Sequence, residues 1–250
     1  AELLLWAPVR FQGNLVLAGQ LNVKAAGDGG RFYTTCVAIE GNFTLHPEAH
    51  LSIQGCQNQA DIEADEERAG KGGCLRVGGD AELLGGQLLL HDCAASLGVG
   101  GGIYVDGRLQ SGNATIDAER CGAEYGGAVY AVNDMIVSGG NVTITKSEAS
   151  ENGGSGEVGI GLELAVGKFV RPHARAVYAV NDMIVSGGGV SITESKASRD
   201  GGSGGETGLG RNVGAVTLLP AEGCAVDAVM DMNISGGNVS ITKSEASRGG

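Results

Sequence analysis

Six cysteines carry the most reactive chemistry in this chain of 250 residues. Cys56, Cys93 and Cys121 each close a short apolar run, and Ser147 takes the same place in the next run. Stacked on one another, these positions form a ladder of small polarisable groups inside a corner. The ladder is either a set of buried thiols or, in an exported chain, a source of disulfides, which an even number of cysteines permits. Neighbouring coils would bring Cα atoms near the bridging range. No C-x-x-C pair occurs, which argues against structural zinc.

Other chemistry-bearing types are more scattered. His46-Pro47-Glu48-Ala49-His50 sets two histidines four apart, but the glutamate is misplaced for H-E-x-x-H and Pro47 opposes the helix that would align them. His91 and His173 stand alone and read as surface residues. Tyr104, Tyr130 and Tyr178 recur with outward parity. Such a column is a candidate binding face for a glycan or partner protein, or plain coil-on-coil packing. Asn42, Asn113, Asn141, Asn233 and Asn238 begin N-x-S/T sequons, candidate glycosylation sites in a eukaryotic secretory route. The segments GGSGEVGIG and GGSGGETGLG lack the Asp of calcium-binding nonapeptides and the strand–loop–helix context of a phosphate loop. No catalytic, cofactor-binding or metal-binding residue is assigned.

The elements that hold these residues come from an internal repeat. Gly126–Ser150 returns as Ala176–Ser198 and as Ala225–Ser247, with starts 48 and 49 residues apart (128, 176 and 225). Within a copy, AVYA and VTIT alternate, so Val129, Ala131, Val142 and Ile144 face inward while Tyr130, Thr143 and Thr145 face out. Period two over short β-branched runs means strands. Ser138-Gly139-Gly140-Asn141 and Asn133-Asp134 punctuate them, and Gly and Asn supply the backbone angles of tight corners. Upstream, Gly72–Val77, Gly100–Val105 and Gly126–Ala131 match at spacings of 28 and 26. One coil therefore takes about 26–28 residues with roughly three strands, and the 48-residue period reads as two coils, one degenerate.

A unit this short buries its apolar side only by stacking on a copy of itself. The expected fold class is all-β, a single parallel β-helix of roughly eight or nine coils spanning residues 1–250. Propeller blades need about 40 residues or more, which the spacing opposes. Ala1–Lys24 reads as an entry coil. The acidic run from Gln57 to Gly70, QNQADIEADEERAG, is an excursion loop over 57–71 with room for a short helix at Ile62–Arg68. Ser155–Arg175 and Ser203–Gly223 break the alternation; they are degenerate coils or a stretch read out of frame. The chain stops at Arg248-Gly249-Gly250, where another coil would open, and so reads as a fragment of a longer solenoid or as one that stacks on something.

Composition narrows the partners. A formal net charge of −12 with no basic stripe argues against nucleic acid. A hydrophobic fraction of 42% excludes a disordered chain. No apolar run reaches the length of a membrane span, and Ala1–Trp6 lacks the basic start of a signal peptide.

The GG-A-V-Y run at Gly126–Tyr130 resembles the GGA[I/L/V] motif of polymorphic outer-membrane-protein repeats, and more broadly the right-handed parallel β-helix repeats of the pectate-lyase-like superfamily. In that family a Phe-x-x-Asn motif precedes GGA. Here Ile53-x-x-Cys56, Leu90-x-x-Cys93 and Ile144-x-x-Ser147 keep the apolar position and replace the Asn, while Phe11-x-x-Asn14 keeps both but lacks a following GGA. The frame covers roughly residues 36–250. The resemblance implies a right-handed coil, an extracellular or cell-surface setting and an adhesive role. It also implies a rival: pectate-lyase-like enzymes hold calcium and abstract a proton with clustered Asp and a Lys or Arg partner. Asp134, Asp182 and Asp231 recur at one corner of the three copies, but no outward Lys or Arg is expected to partner them. The expectation is a non-enzymatic surface scaffold without cofactor; the alternative is a polysaccharide lyase or glycoside hydrolase on the same fold.

Overall fold

The computed structural model describes residues 1–26, 31–59, 70–125, 128–150, 177–179, 182–193, 196–200, 212–213, 216–218, 226–228, 231–234, 238–242 and 245–249. Among these there is no helix, and every strand pairs in parallel within one of four sheets. Sheet I holds Val9–Phe11, Val37–Ile39, Leu75–Val77, Ile103–Val105, Val129–Ala131, Val177–Ala179 and Val226–Ala228. Sheet II begins at Leu15–Leu17 and sheet IV at Arg31–Phe32. Sheet III begins at Glu2–Leu5, followed by Gln20–Ala25. Successive strands visit the sheets in the order I, II, III, IV, and the described residues complete seven such rounds of four strands.

Local sequence explains the round. Short alternating runs put every second side chain inside, as in Leu88 and Leu90 of Gln87–His91, both wholly buried. Polar corners then turn the chain, and no described strand exceeds six residues. The corner between sheets III and IV shows the cost of this geometry. Gly55 adopts φ 75° there, and the next three rounds place Asp92, Arg120 and Lys146 in the same left-handed region at φ 53°. Side chains with a Cβ are strained in that region.

Stacking keeps like on like. Leu75 pairs with Ile103 and Ile103 with Val129, the spacings of 28 and 26 read from the sequence. Val129, Ile144 and Ile192 are buried as expected; the side chains of Val177, Val226 and Ile241 lie outside the described residues.

Three expectations are corrected. A round has four strands, because a short stretch such as Glu148–Ser150 adds to sheet IV. The 48-residue period is one round: Val129 pairs directly with Val177 and Thr143 with Ser191, so the two copies are neighbours. The count is accordingly seven, with Glu2–Leu5 beyond the first round in sheet III and Asn212–Val213 and Val216–Leu218 beyond the seventh. Finally, Gln57 and Asn58 belong to sheet IV, paired with Arg31–Phe32 and Ala94–Ala95. The excursion therefore begins after them; the Ile62–Arg68 helix, all of 155–175 and most of 203–223 lie outside the described residues. No helix among the described residues is long and apolar enough to cross a membrane.

Candidate functional site

Register fixes three columns of candidate side chains. The first runs through the core. Gln57, Ala94, Gly122 and Glu148 pair in succession, so the preceding Cys56, Cys93, Cys121 and Ser147 share a row, as the sequence predicts. Val37, Leu75, Ile103 and Val129 pair likewise, so Cys36, Cys74, Gly102 and Ala128 form a second row. Disulfides bridge the two rows inside a round: Cys36–Cys56 and Cys74–Cys93, with Cα atoms 6.0 and 5.4 Å apart. The bridges run across a round and not along the ladder, because the two rows face each other through the core. In the fourth round Gly102 stands opposite Cys121, which is a free, buried thiol. Burial pushes its pKa up to about 12, and its Sγ lies 3.5 Å from the Leu90 carbonyl. In the fifth round Ala128 faces Ser147, whose buried Oγ has no partner. Cys224 lies outside the described residues.

The second column is the corner before sheet II. Asn14, Asn42, Asp80, Arg108, Asp134, Asp182 and Asp231 occupy it, since the residues that follow them pair round on round, and Asp182 itself pairs with Asp231. The first three Asx side chains each accept from the next round's corner N–H: Asn42 N donates to Asn14 Oδ1 (2.9 Å), Asp80 N to Asn42 Oδ1 (3.0 Å) and Arg108 N to Asp80 Oδ1 (2.8 Å). Arg108 carries no acceptor and ends the ladder. Its Nε reaches Asp134 Oδ2 at 3.1 Å instead. The expectation that no basic residue partners the Asp column is therefore wrong. Its partner comes from one round earlier in the same row, where the local repeat copy does not extend. A comparison of the corners at the 26-residue spacing (108 to 134) would have found it.

The third column lies on the outer side of sheet I. Arg76, Tyr104, Tyr130 and Tyr178 pair successively through their backbones. The Tyr104 and Tyr130 rings stack with centroids 4.9 Å apart, and Lys71 Nζ sits 5.5 Å from the Tyr104 centroid. Tyr104 Oη donates to Asp106 Oδ1 at 2.7 Å, and Arg76 Nη2 reaches Asp106 Oδ2 at 3.2 Å. Arg76 Nη1 also lies 3.9 Å from Glu40 Oε1, which stands 2.5 Å from Arg10 Nε as a charge contact without hydrogen-bond geometry. This packing corrects the parity reading: Tyr104 is only 4% exposed, and Tyr130 and Thr143 are half-buried. An outward position on a stack is covered by the long side chains of the rounds beside it. Burial and the Asp106 carboxylate raise the Tyr104 pKa, so its phenol is a neutral donor. The side chain of Tyr178 lies outside the described residues.

The remaining candidates sit apart. Asn42, Asn113, Asn141 and Asn238 are exposed, whereas Asn233 has no described side chain. His50 Nδ1 contacts Gln87 Oε1 at 3.1 Å, and His91 Nδ1 lies 3.5 Å from Glu119. His173 is outside the described residues. Among the described residues no group of His, Cys, Asp or Glu is arranged to hold a metal. One pair escaped the sequence reading altogether: Arg120 grips Asp92 through Nε at 2.6 Å and Nη2 at 3.1 Å and holds its carboxyl below the usual value. The chain matches no protein-family model, no curated protein and no solved structure.

Proposed function

We propose that the four sheets wind as one right-handed parallel β-helix and that the chain is a non-enzymatic scaffold in an extracellular or cell-surface setting. Recurrence of each sheet once in every one of the seven rounds supports the winding. The right hand agrees with the general rule for crossovers between parallel strands of one sheet. The pair of disulfides in successive rounds carries the functional reading, because cytosolic thiol buffers keep such cysteines reduced. The resemblance to polymorphic outer-membrane-protein repeats points the same way. Polar side chains on the outer columns are engaged in holding one round to the next, which suits a scaffold. Its adhesive face would be the tyrosine column, with half-buried Tyr130 stacked beside the covered Tyr104, taking a glycan or a partner protein.

One observation favours the rival. The Arg108–Asp134 pair puts a guanidinium beside a column of carboxylates, the combination a polysaccharide lyase would use. Both readings face the same experiment: binding and turnover of polygalacturonate and alginate, with and without calcium. The scaffold reading expects no turnover and expects any binding to fall on Tyr130→Ser. Turnover abolished by Asp134→Asn or Arg108→Ala would replace it with the lyase reading.

A further inference from the structure

The far end of the stack is built out of chain order. Val216–Leu218 pairs with Asn238–Thr242 on the edge of sheet III, and Asn212–Val213 with Asp231–Ile234 on the edge of sheet II. Both segments precede the seventh round in sequence yet lie outside it. The seventh round meanwhile pairs with the sixth in all four sheets without their help. They form a layer that can leave without breaking any contact between rounds.

The opposite end of sheet III is the bare edge of Glu2–Leu5, with Leu3 39% and Leu4 55% exposed. Leu3 pairs with Val23 and Leu218 with Ile241. Val23 and Ile241 belong to one continuous row, linked through Ile53, Leu90, Ala118, Ile144 and Ile192. Leu3 of a second copy would thus take the row position of Leu218, with the parallel polarity that every pairing here has. An unpaired strand edge is a template for such addition.

We infer that Val216–Leu218, with Asn212–Val213, is a built-in end cap that keeps the seventh round from adding the Glu2–Leu5 strand of a second copy. This rests on the β-helix reading. Addition of one copy's head to another's tail does not close and would grow open chains.

The test deletes residues 203–223. Gly201, Gly202, Cys224 and Ala225 then join Asp200 to Val226, close to the three-residue link between Tyr125 and Val129. Sedimentation of the intact chain should give one copy. The deletion should give multiples that grow with concentration and vanish when Leu4→Pro is added, since Leu3 and Leu5 turn their backbone groups toward Gln20–Ala25 and Leu4 turns its N–H to the free edge. Should the deletion lose its β circular dichroism, Thr217→Pro in the full chain decides, since it removes a backbone donor from the cap alone. Single copies for whichever variant folds overturn the cap, as do multiples that ignore Leu4→Pro. Small-angle scattering separates the two failures: a rod of one copy refutes the cap only, whereas a compact particle refutes the β-helix.

Discussion

In the second and third rounds a disulfide ties the row before sheet I to the row before sheet IV; in the fourth and fifth the same positions hold Gly102 with Cys121 and Ala128 with Ser147. The unstapled rounds are no looser. Ile103, Leu109 and Ile116 of the fourth and Val129, Val137 and Ile144 of the fifth are all wholly buried. Spacing between rounds is kept by the backbone ladder and the apolar rows, and the bridges are added to a frame that stands without them. Their effect is therefore expected chiefly in the unfolded chain, where closing loops of 20 and 19 residues removes conformational freedom.

The largest way to break this contrast is to remove the staples. Replacing Cys36 and Cys56, or Cys74 and Cys93, by alanine should cost about 3 kcal/mol each by denaturant unfolding. Amide exchange in the fourth and fifth rounds should stay protected in native buffer. Loss of protection there would mean that the staples hold the whole frame.

Completing the third staple sharpens the contrast. A Cβ on Gly102 would lie 3.2 Å from Cys121 Sγ and 2.5 Å from the Ala128 carbonyl oxygen. Gly102→Cys should oxidise to a bond with Cys121, seen as a loss of two hydrogens by mass spectrometry. The gain should fall below about 3 kcal/mol, because the carbonyl must move. A free thiol at both positions would show that the fourth round does not share the geometry of the third.

Cys121 also gives its round a pH dependence. Its folded pKa, pushed up to about 12 from 9.0, means that only the unfolded chain ionises between those values. The contribution is full below pH 9 and is lost as pH rises toward 12, by at most about 1.4 kcal/mol per pH unit. Cys121→Ala should unfold with a shallower slope than the wild type across that range. Parallel slopes would mean that the thiol is not buried.

The smallest effect belongs to the fifth round. Ser147 keeps a buried hydroxyl with no partner, so Ser147→Ala should raise stability by roughly 0.5–1 kcal/mol. A loss on this substitution would place a hydrogen bond at that oxygen.

Much of this frame is written in the sequence. Alternation around Val129 and Ile144, and the match of Leu75 with Ile103, are local signals, and they gave strands, faces and register. The row of Cys56, Cys93, Cys121 and Ser147 was legible for the same reason. Its pairing was not, since Cys36 faces Cys56 only once the round has closed. Arg108 opposite Asp134 and Arg120 opposite Asp92 depend on adjacency of rounds that no single repeat copy contains. The 48-residue period misled because the sequence shows how far apart two copies begin and not whether the chain between them enters the stack. Tyr104 misled because parity tells which side of a strand a residue faces but not what the neighbouring rounds lay over it.

Direct adjacency of the long-period copies is the central claim, and one cysteine pair tests it. Thr143 and Ser191 pair across neighbouring strands, at a strand spacing of about 4.8 Å. Thr143→Cys with Ser191→Cys should form a disulfide under mild oxidation, located by peptide mapping. Two thiols that stay reduced while the chain remains folded would put another layer between the copies, at roughly twice that spacing, and would contradict the account.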